Sequence, residues 1–325
     1  MKRILVLAGA FSAIVIGAVA QVLAPVAERH MMFADTTRVG VPFAKDPHVV
    51  DFGGRYLMYY SEPPRAGVEG DGWAIAIAES RDLIDWKRVG ELLPGHGAEY
   101  EKNGLCAPCA IVRGDTVHIF YQTYGNGPKD AICHAWSTDG LHFTRNATNP
   151  IFSPTGDWNN GRAIDAEVAL FGDEYFLYFA SRTPDGVKQI LGVARAPRST
   201  TFSRGEWTQA CDASILFPEL PWEGECIEAP SVIVRGPWLY MFYAGAYNNW
   251  PQQIGIARSA DGVSWQRLSD VPFLPVGQPG SWNSSESGHP HIFNDTANGR
   301  TYLFYQGNDT HGRTWLLSNR EVVWP

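Results

Sequence analysis

Three carboxylates and a histidine stand in settings that chain folding alone does not require. Asp46 lies in Lys45-Asp46-Pro47 and Asp165 in Ala163-Ile164-Asp165-Ala166. Glu228 lies in Cys226-Ile227-Glu228-Ala229-Pro230, and His289 in Ser287-Gly288-His289-Pro290-His291. An Asp before Pro also suits an ordinary turn. Asp165 and Glu228, however, have apolar neighbours that a solvated turn does not need. Carboxyl groups drawn together raise one another's proton affinity, and loss of water adds to the effect. Groups so perturbed are candidates for proton transfer. Whether these four meet depends on elements far apart in the chain.

Those elements repeat about every sixty residues. One anchor is a short motif leading into an apolar run: Asp46-Pro47-His48, Ala107-Pro108-Cys109, Asp165-Ala166-Glu167, Ala229-Pro230-Ser231 and His289-Pro290-His291. Its second positions advance by 61, 58, 64 and 60 residues. A second anchor is an aromatic pair about a dozen residues later: Tyr59-Tyr60, Phe120-Tyr121, Tyr178-Phe179, Phe242-Tyr243 and Phe304-Tyr305. It advances by 61, 58, 64 and 62 residues. A further apolar run and a turn ending in an aromatic follow, as in Ser137-Thr138-Asp139-Gly140-Leu141-His142-Phe143. The third copy is degenerate and ends in Glu206-Trp207. Asp-Gly favours a tight hairpin because Gly accepts positive φ.

Each unit therefore reads as four antiparallel strands, and such a sheet cannot bury both faces alone. Radial stacking buries them and leaves only short edges. The expected fold is all-β, a five-bladed β-propeller with blades near 41–103, 104–160, 161–222, 223–282 and 283–325. A two-sheet sandwich would not explain two anchors moving in step. Residues 31–40 are a candidate outer strand beside the last blade. In a propeller the first strand of each blade lines the central channel, so Asp46, Asp165, Glu228 and His289 gather at one mouth. Blade 2 offers only Ala107 there, which shows what folding tolerates. Glu228 is out of step by one residue, and strand alternation would turn it away unless the strand entries are offset. Glu167 is the rival carboxylate in blade 3, on the same face as Asp165.

Composition bounds the rest. The 325 residues carry 26 Lys+Arg against 34 Asp+Glu, a net charge of −8, with 45% hydrophobic residues. That excludes a disordered chain, and without a basic run a nucleic-acid partner is not expected. Gly 33, Pro 22 and 13% aromatic residues suit strands and turns rather than a helical bundle. Lys2-Arg3, an apolar run from Ile4 and Ala18-Val19-Ala20 read as a signal peptide over 1–20, cleaved before Gln21, and imply a secreted or periplasmic protein. An uncleaved anchor is the alternative, since Ile4 to Ala27 is long enough to span; after cleavage no stable membrane span is expected. Residues 21–40 read as a linker and candidate ring-closing strand, and 41–325 as the propeller. Cys106, Cys109, Cys133, Cys211 and Cys226 are an odd set. Cys106-Ala107-Pro108-Cys109 precedes no helix and has no second pair at zinc spacing, so packing or a local disulfide is expected.

Lys45-Asp46-Pro47, Ile164-Asp165-Ala166 and Ile227-Glu228-Ala229-Pro230, with spacings of 119 and 63 residues, resemble glycoside hydrolase family 43, in the five-bladed clan of glycosidases and furanosidases. The resemblance covers about residues 41–325. It implies Asp46 as general base, Glu228 as general acid and Asp165 as the group that tunes and holds Glu228. It also implies inversion of configuration, with room for water between base and acid. His289 resembles a blade 5 histidine that in some members belongs to a calcium or sodium site on the axis; a hydrogen-bonded structural histidine is the other reading. Arg313, in His311-Gly312-Arg313-Thr314, resembles a family arginine near the catalytic groups, and His291 joins it as a substrate-binding candidate. Leu105-Cys106-Ala107-Pro108 departs from the pattern, because the family commonly has Trp before Ala-Pro.

The expectation is an inverting glycosidase acting on plant or algal polysaccharides or their oligosaccharides, of arabinofuranosidase, xylosidase or arabinanase type. No cofactor is needed for the chemistry; a structural Ca2+ or Na+ is the implied ion. The alternatives are a carbohydrate-binding propeller without turnover, a clan relative acting on agar-type oligosaccharides with a histidine acid, and a protein-interaction scaffold. Loop tryptophans Trp73, Trp158, Trp222, Trp250 and Trp282 could stack on sugar or cover blade edges. Oligomeric state is not read from the sequence.

Overall fold

Consecutive apolar residues on a strand point to opposite faces, so an aromatic pair serves both faces of its blade at once. The computed structural model describes residues 22–23 and 30–324; the signal segment lies outside them. It is a ring of five four-stranded antiparallel sheets. A short strand β1 (Val22–Leu23) precedes blade 1, which holds β2 (Lys45–Phe52), β3 (Arg55–Glu62), β4 (Ala74–Ser80) and β5 (Lys87–Leu92). Blade 2 holds β6 (Leu105–Arg113), β7 (Thr116–Thr123), β8 (Ile132–Ser137) and β9 (Thr144–Arg145). Blade 3 holds β10 (Ile164–Phe171), β11 (Glu174–Arg182), β12 (Gln189–Pro197) and β13 (Thr208–Gln209). Blade 4 holds β14 (Ile227–Arg235), β15 (Trp238–Gly245), β16 (Gln253–Ser259) and β17 (Gln266–Arg267). Blade 5 holds β18 (Glu286–Asp295), β19 (Arg300–Asn308) and β20 (Leu316–Val323). Its fourth strand is β1, antiparallel to β20 with Val22 opposite Val323. Phe33 bridges Leu317 further along the same edge, so segments from both ends of the chain close the ring. Among the described residues no helix is long and apolar enough to cross a membrane.

The aromatic pairs sit on the second strands and are buried. The first member packs toward the following blade and the second toward the preceding one. Tyr59 and Tyr121 share the core between blades 1 and 2, Phe120 and Phe179 that between 2 and 3, and Tyr178 and Tyr243 that between 3 and 4. Phe242 and Tyr305 fill the next interface, and Phe304 and Tyr60 the last. This is why the pair recurs with the period of the blade. Burying such a side chain contributes roughly 1.5–3 kcal/mol. All five cysteines are buried free thiols that pack in the blades.

The Asp-Gly segments are not two-residue hairpins. Each lies in a longer turn between the third and fourth strands, stitched by side chains. Ser137 Oγ accepts the Gly140 N–H at 2.9 Å, and Asp139 Oδ1 accepts the N–H groups of Leu141 and His142 at 2.8 Å. Ser259 and Asp261 repeat the pattern. The turn then docks on the preceding blade, where Tyr59 donates its hydroxyl to the Gly140 carbonyl at 2.9 Å. Gly140 has φ +75°, and a Cβ there would lie 2.4 Å from Leu57 Cδ1. Gly114 has φ +61° but open space around it. Gly140→Ala is therefore expected to cost about 1–3 kcal/mol more than Gly114→Ala, read from urea unfolding midpoints. Equal losses would mean that the turn does not dock.

Candidate active site

The innermost strands each break register once near their start. The breaks fall between Lys45 and His48, Cys106 and Cys109, Ile164 and Glu167, Glu228 and Ser231, and Gly288 and His291. Inside each bulge one residue has positive φ: Asp46 52°, Ala107 48°, Asp165 51°, Ala229 47° and His289 43°. For an L-residue that conformation costs about 1–2 kcal/mol. In three blades the second strand of the preceding blade offsets it. Gln306 Oε1 accepts the Asp46 N–H at 2.9 Å, Ser61 Oγ the Ala107 N–H at 2.7 Å and Gln122 Oε1 the Asp165 N–H at 2.8 Å. The bulge also removes the misfit at Glu228. Two adjacent residues of a bulged strand oppose one on the partner, so side-chain alternation is interrupted there. Glu228, one residue ahead of the bulge residue Ala229, thereby joins Asp46, Asp165 and His289.

His289 lies between two of the acids. Its Nδ1 is 2.8 Å from Asp46 Oδ1 and its Nε2 is 3.3 Å from Glu228 Oε1. Gln252 Nε2 donates to Glu228 Oε1 at 2.6 Å, and Gln189 Nε2 donates to Glu228 Oε2. A narrow axial well of about 30 Å³, lined by Asp46, Asp165, His289 and the residues beneath them, has room for a water molecule. A larger cavity of about 620 Å³ lies by β20 and the 274–283 loop, away from these acids.

Charge separates the three carboxyls. Burial pushes Asp46 up, but the His289 imidazolium and the Lys45 ammonium more than reverse this and hold it below the usual carboxylate range. Glu228 follows the same pattern: burial raises it, and His289, Lys45 and the Gln252 amide bring it below its ordinary value. Asp165 is different. Burial, with the Glu228 and Asp46 charges adding, raises it to about 7 despite His289. Among the described residues its Oδ2 finds no hydrogen-bond partner, as suits an uncharged carboxyl. His289 itself is desolvated, yet Asp46 and Glu228 drive its pKa well above the ordinary histidine value.

Beneath this layer lies a second ring, His48, Cys109, Glu167, Ser231 and His291, one residue per blade. His48 Nε2 is 3.1 Å from Glu167 Oε2, and its Nδ1 accepts the Ala110 N–H at 3.2 Å. Glu167 Oε1 accepts the Val232 N–H at 2.7 Å. His291 Nε2 donates to the Val49 carbonyl at 3.1 Å, and its ring packs against His48 at a 34° tilt with centroids 3.6 Å apart. Burial lowers His48 to about 3 and pushes Glu167 up. Glu167, the rival of Asp165, thus belongs to a different layer. His291 is buried in the channel wall and faces away from the mouth's solvent. Arg313 is exposed on the β19–β20 loop, where its Nε donates to the Thr310 carbonyl at 3.3 Å; no contact joins it to the carboxylates.

His48, Glu167 and His291 bring one donor atom each within 4.8 Å of one another. Both nitrogens of His48 are engaged, however, and His291 spends its Nε2–H on Val49. His289 carries protons on both nitrogens. Neither arrangement fits a hard, oxygen-seeking cation such as Ca2+ or Na+, and no step below runs through one.

Sequence reading missed the groups that hold the acids. Lys45 Nζ reaches Asn248 Oδ1 at 3.0 Å and lies 4.8 Å from the Trp315 ring centroid. Glu286 is fully buried and accepts from Gln306 at 2.6 Å and from Trp315 at 3.2 Å. Gln189 and Gln252 occupy equivalent places, each bridging in parallel to the head of the next blade, at Cys226 and Glu286; the blade 1 equivalent is Trp73. A polar residue recurring at the head of a third strand was the available signal.

Fold and site together define a five-bladed propeller with three carboxyls and a histidine gathered at its axis. The glycosyl hydrolases family 43 model matches residues 39–324. The chain belongs to that family and is a glycoside hydrolase. Similar solved structures include a thermostable family-43 glycoside hydrolase, with TM-score 0.70 and 19% identity over 90% of this chain and 94% of that one. An endo-1,4-beta-xylanase from Bacteroides thetaiotaomicron matches with TM-score 0.66 and 21% identity over 86% and 90%. An alpha-L-arabinofuranosidase from Lactobacillus brevis matches with TM-score 0.67 and 15% identity over 87% and 92%.

Two titrations test the electrostatics. Replacing His289 by Ala removes the cation that keeps Asp46 and Glu228 ionised. The acidic limb of the kcat/KM profile should then move up by a unit or more, on the order of 1.4 kcal/mol per unit; an unmoved limb means that His289 does not set it. Asp165 is raised from 3.8 to about 7, so the folded state binds its proton more tightly than the unfolded chain. The stability this gives is full in acid, declines as pH climbs above about 4 and is lost above about 7, by at most ~4 kcal/mol. Asp165→Asn should flatten that decline, so its melting temperature should gain on the wild type between pH 5 and 8. A constant difference across that range contradicts a protonated Asp165.

Proposed function

We propose that this chain is an exported, inverting glycosidase of arabinose- or xylose-containing plant glycans. One observation carries the reading: Asp46 and Glu228 sit on the two nitrogens of one imidazole ring, facing the same mouth. With contacts of 2.8 and 3.3 Å, the bonded oxygens are no more than about 8 Å apart, compatible with the spacing that leaves room for a water in inverting enzymes, about 6.5–9.5 Å between carboxyls. The arabinofuranosidase and xylanase among similar folds support the sugar class. Lys2-Arg3 and the apolar run after them support export to a secreted or periplasmic location.

Asp46, held ionised by His289 and Lys45, takes a proton from water as the water oxygen bonds to the anomeric carbon. The bond from that carbon to the leaving oxygen breaks, and Glu228 delivers a proton to the leaving oxygen. Glu228 must first acquire that proton. A sugar entering the mouth displaces water, and desolvation raises the proton affinity of Glu228. The proton that burial keeps on Asp165 near neutral pH is the nearby source. Asp165 thus tunes Glu228 and supplies it. Afterwards Asp46 returns its proton to solvent and Asp165 takes one up from it, which restores the starting state.

His289 as the acid is the second reading, favoured by its place between the two carboxylates. Its raised proton affinity makes it a reluctant donor. Glu228→Gln separates the two: kcat on arabinan or xylan fragments, or on aryl arabinosides and xylosides, should drop by ~10²–10⁴ with sugar binding kept. Unchanged turnover of every glycan by the variant removes Glu228 from the role. Proton NMR of the first-formed anomer reads inversion directly.

A further inference from the structure

The blade 3 side of the mouth carries two arginines, Arg182 and Arg162, close to the residues that hold Glu228. Elsewhere Arg38 lies on Glu62 at 2.6 Å, Arg145 on Glu101 at 2.9 Å and Arg267 on Glu223 at 2.8 Å, while Arg113 and Arg258 lie over the Phe202 and Trp238 rings. Arg182, half-buried at the end of β11, has no carboxylate partner among the described residues. Its Nε donates to Gln189 Oε1 at 3.3 Å and one terminal nitrogen to the Gly186 carbonyl at 3.2 Å, both neutral acceptors. Its guanidinium lies over the Tyr247 ring, 5.6 Å from the centroid. Arg162 stands just before β10, on a segment tied to β11 where the Asn160 N–H donates to the Arg182 carbonyl at 3.0 Å. Its Nε lies 3.5 Å from Asp130 Oδ2, and its charge also acts on Asp165. Both guanidiniums act on the Tyr247 phenol, as does the Glu228 carboxylate, so all share one corner.

A partly desolvated guanidinium without a counter-charge is costly, and in a chain of net charge −8 an acidic partner was easy to provide. The planar fork suits a carboxylate held by two parallel bonds. Position says where that carboxylate lies. Gln189 accepts from Arg182 and donates to Glu228, so Arg182 is one side chain away from the group that protonates the leaving oxygen. We propose that Arg182, with Arg162, binds the carboxylate of a uronic acid on the leaving-group side of the scissile bond, so that the substrate is an acidic glycan. This rests on the glycosidase reading above for the role of Glu228.

The test compares galacturonate-bearing arabino-oligosaccharides with the same preparation after carboxyl reduction, at 20 mM and 200 mM salt. The wild type is expected to favour the acidic form at least tenfold in kcat/KM, more strongly at low salt. Arg182→Gln should bring that ratio near one, and Arg182→Lys should restore part of it. Equal rates on both forms by the wild type, or an equal loss on both in Arg182→Gln, overturn the proposal. If the wild type cleaves neither, the glycosidase reading for these sugars fails, and calorimetry with tri-galacturonate still decides the carboxylate site. Binding at least tenfold weaker in Arg182→Gln upholds it; equal or undetectable binding in both rejects it.

Discussion

A left-handed residue at the head of every innermost strand is the constraint on which the rest depends. Without the bulge, Glu228 and the bulge residue Ala229 would point to opposite sides of β14. With it, Asp46, Asp165 and His289 line one well, and Glu228 meets His289 beside it. Three blades hold the strained backbone by a side chain from their neighbour, so the site is stapled by the same contacts that order the ring. Ala107 and Ala229 occupy the conformation without polar side chains. The bulge therefore belongs to the fold, and the charges at Asp46, Asp165 and His289 are an addition to it.

That addition works through unequal neighbours. Asp46 and Glu228 share an imidazolium, whereas Asp165 meets mostly desolvation and like charge. Three carboxyls in one small space therefore hold different proton occupancies near neutral pH. The difference arises from which atoms touch His289, and it is the difference that the proposed mechanism needs, a base ionised while a proton stays close to the acid. In the second ring beneath, burial keeps His48 and His291 neutral and pushes Glu167 up against the Val232 and Ser231 donors that favour its ionised form.

The repeat was legible because aromatic pairs must cover two blade faces, and a period of about sixty residues follows from one blade per unit. The segment after each third strand was read less well: Asp139-Gly140 was expected in a tight hairpin and lies in a longer turn stitched by Ser137. Asp165 and Glu228 were legible because carboxylates in apolar strand entries have few structural reasons to exist. His291 and Arg313 were not placed as expected. His291 differs from His289 by one alternation step, and that step drops it into the lower ring. Arg313 sits on a loop whose direction no periodicity encodes. Lys45, Gln189, Gln252 and Glu286 passed unnoticed because each looks like an ordinary strand-end residue until the next blade is set beside it.

By itself the sequence determined what local rules can carry: the strand pattern, the number of blades and which carboxylates stand in apolar strand entries, since periodicity and burial preference act over a few residues. Only the tertiary structure decided which acids are drawn together, which histidine bridges two of them and which arginine near them lacks a carboxylate partner. Those properties depend on distances of a few ångströms between side chains some sixty to two hundred and forty residues apart, and such distances exist only once the ring is closed.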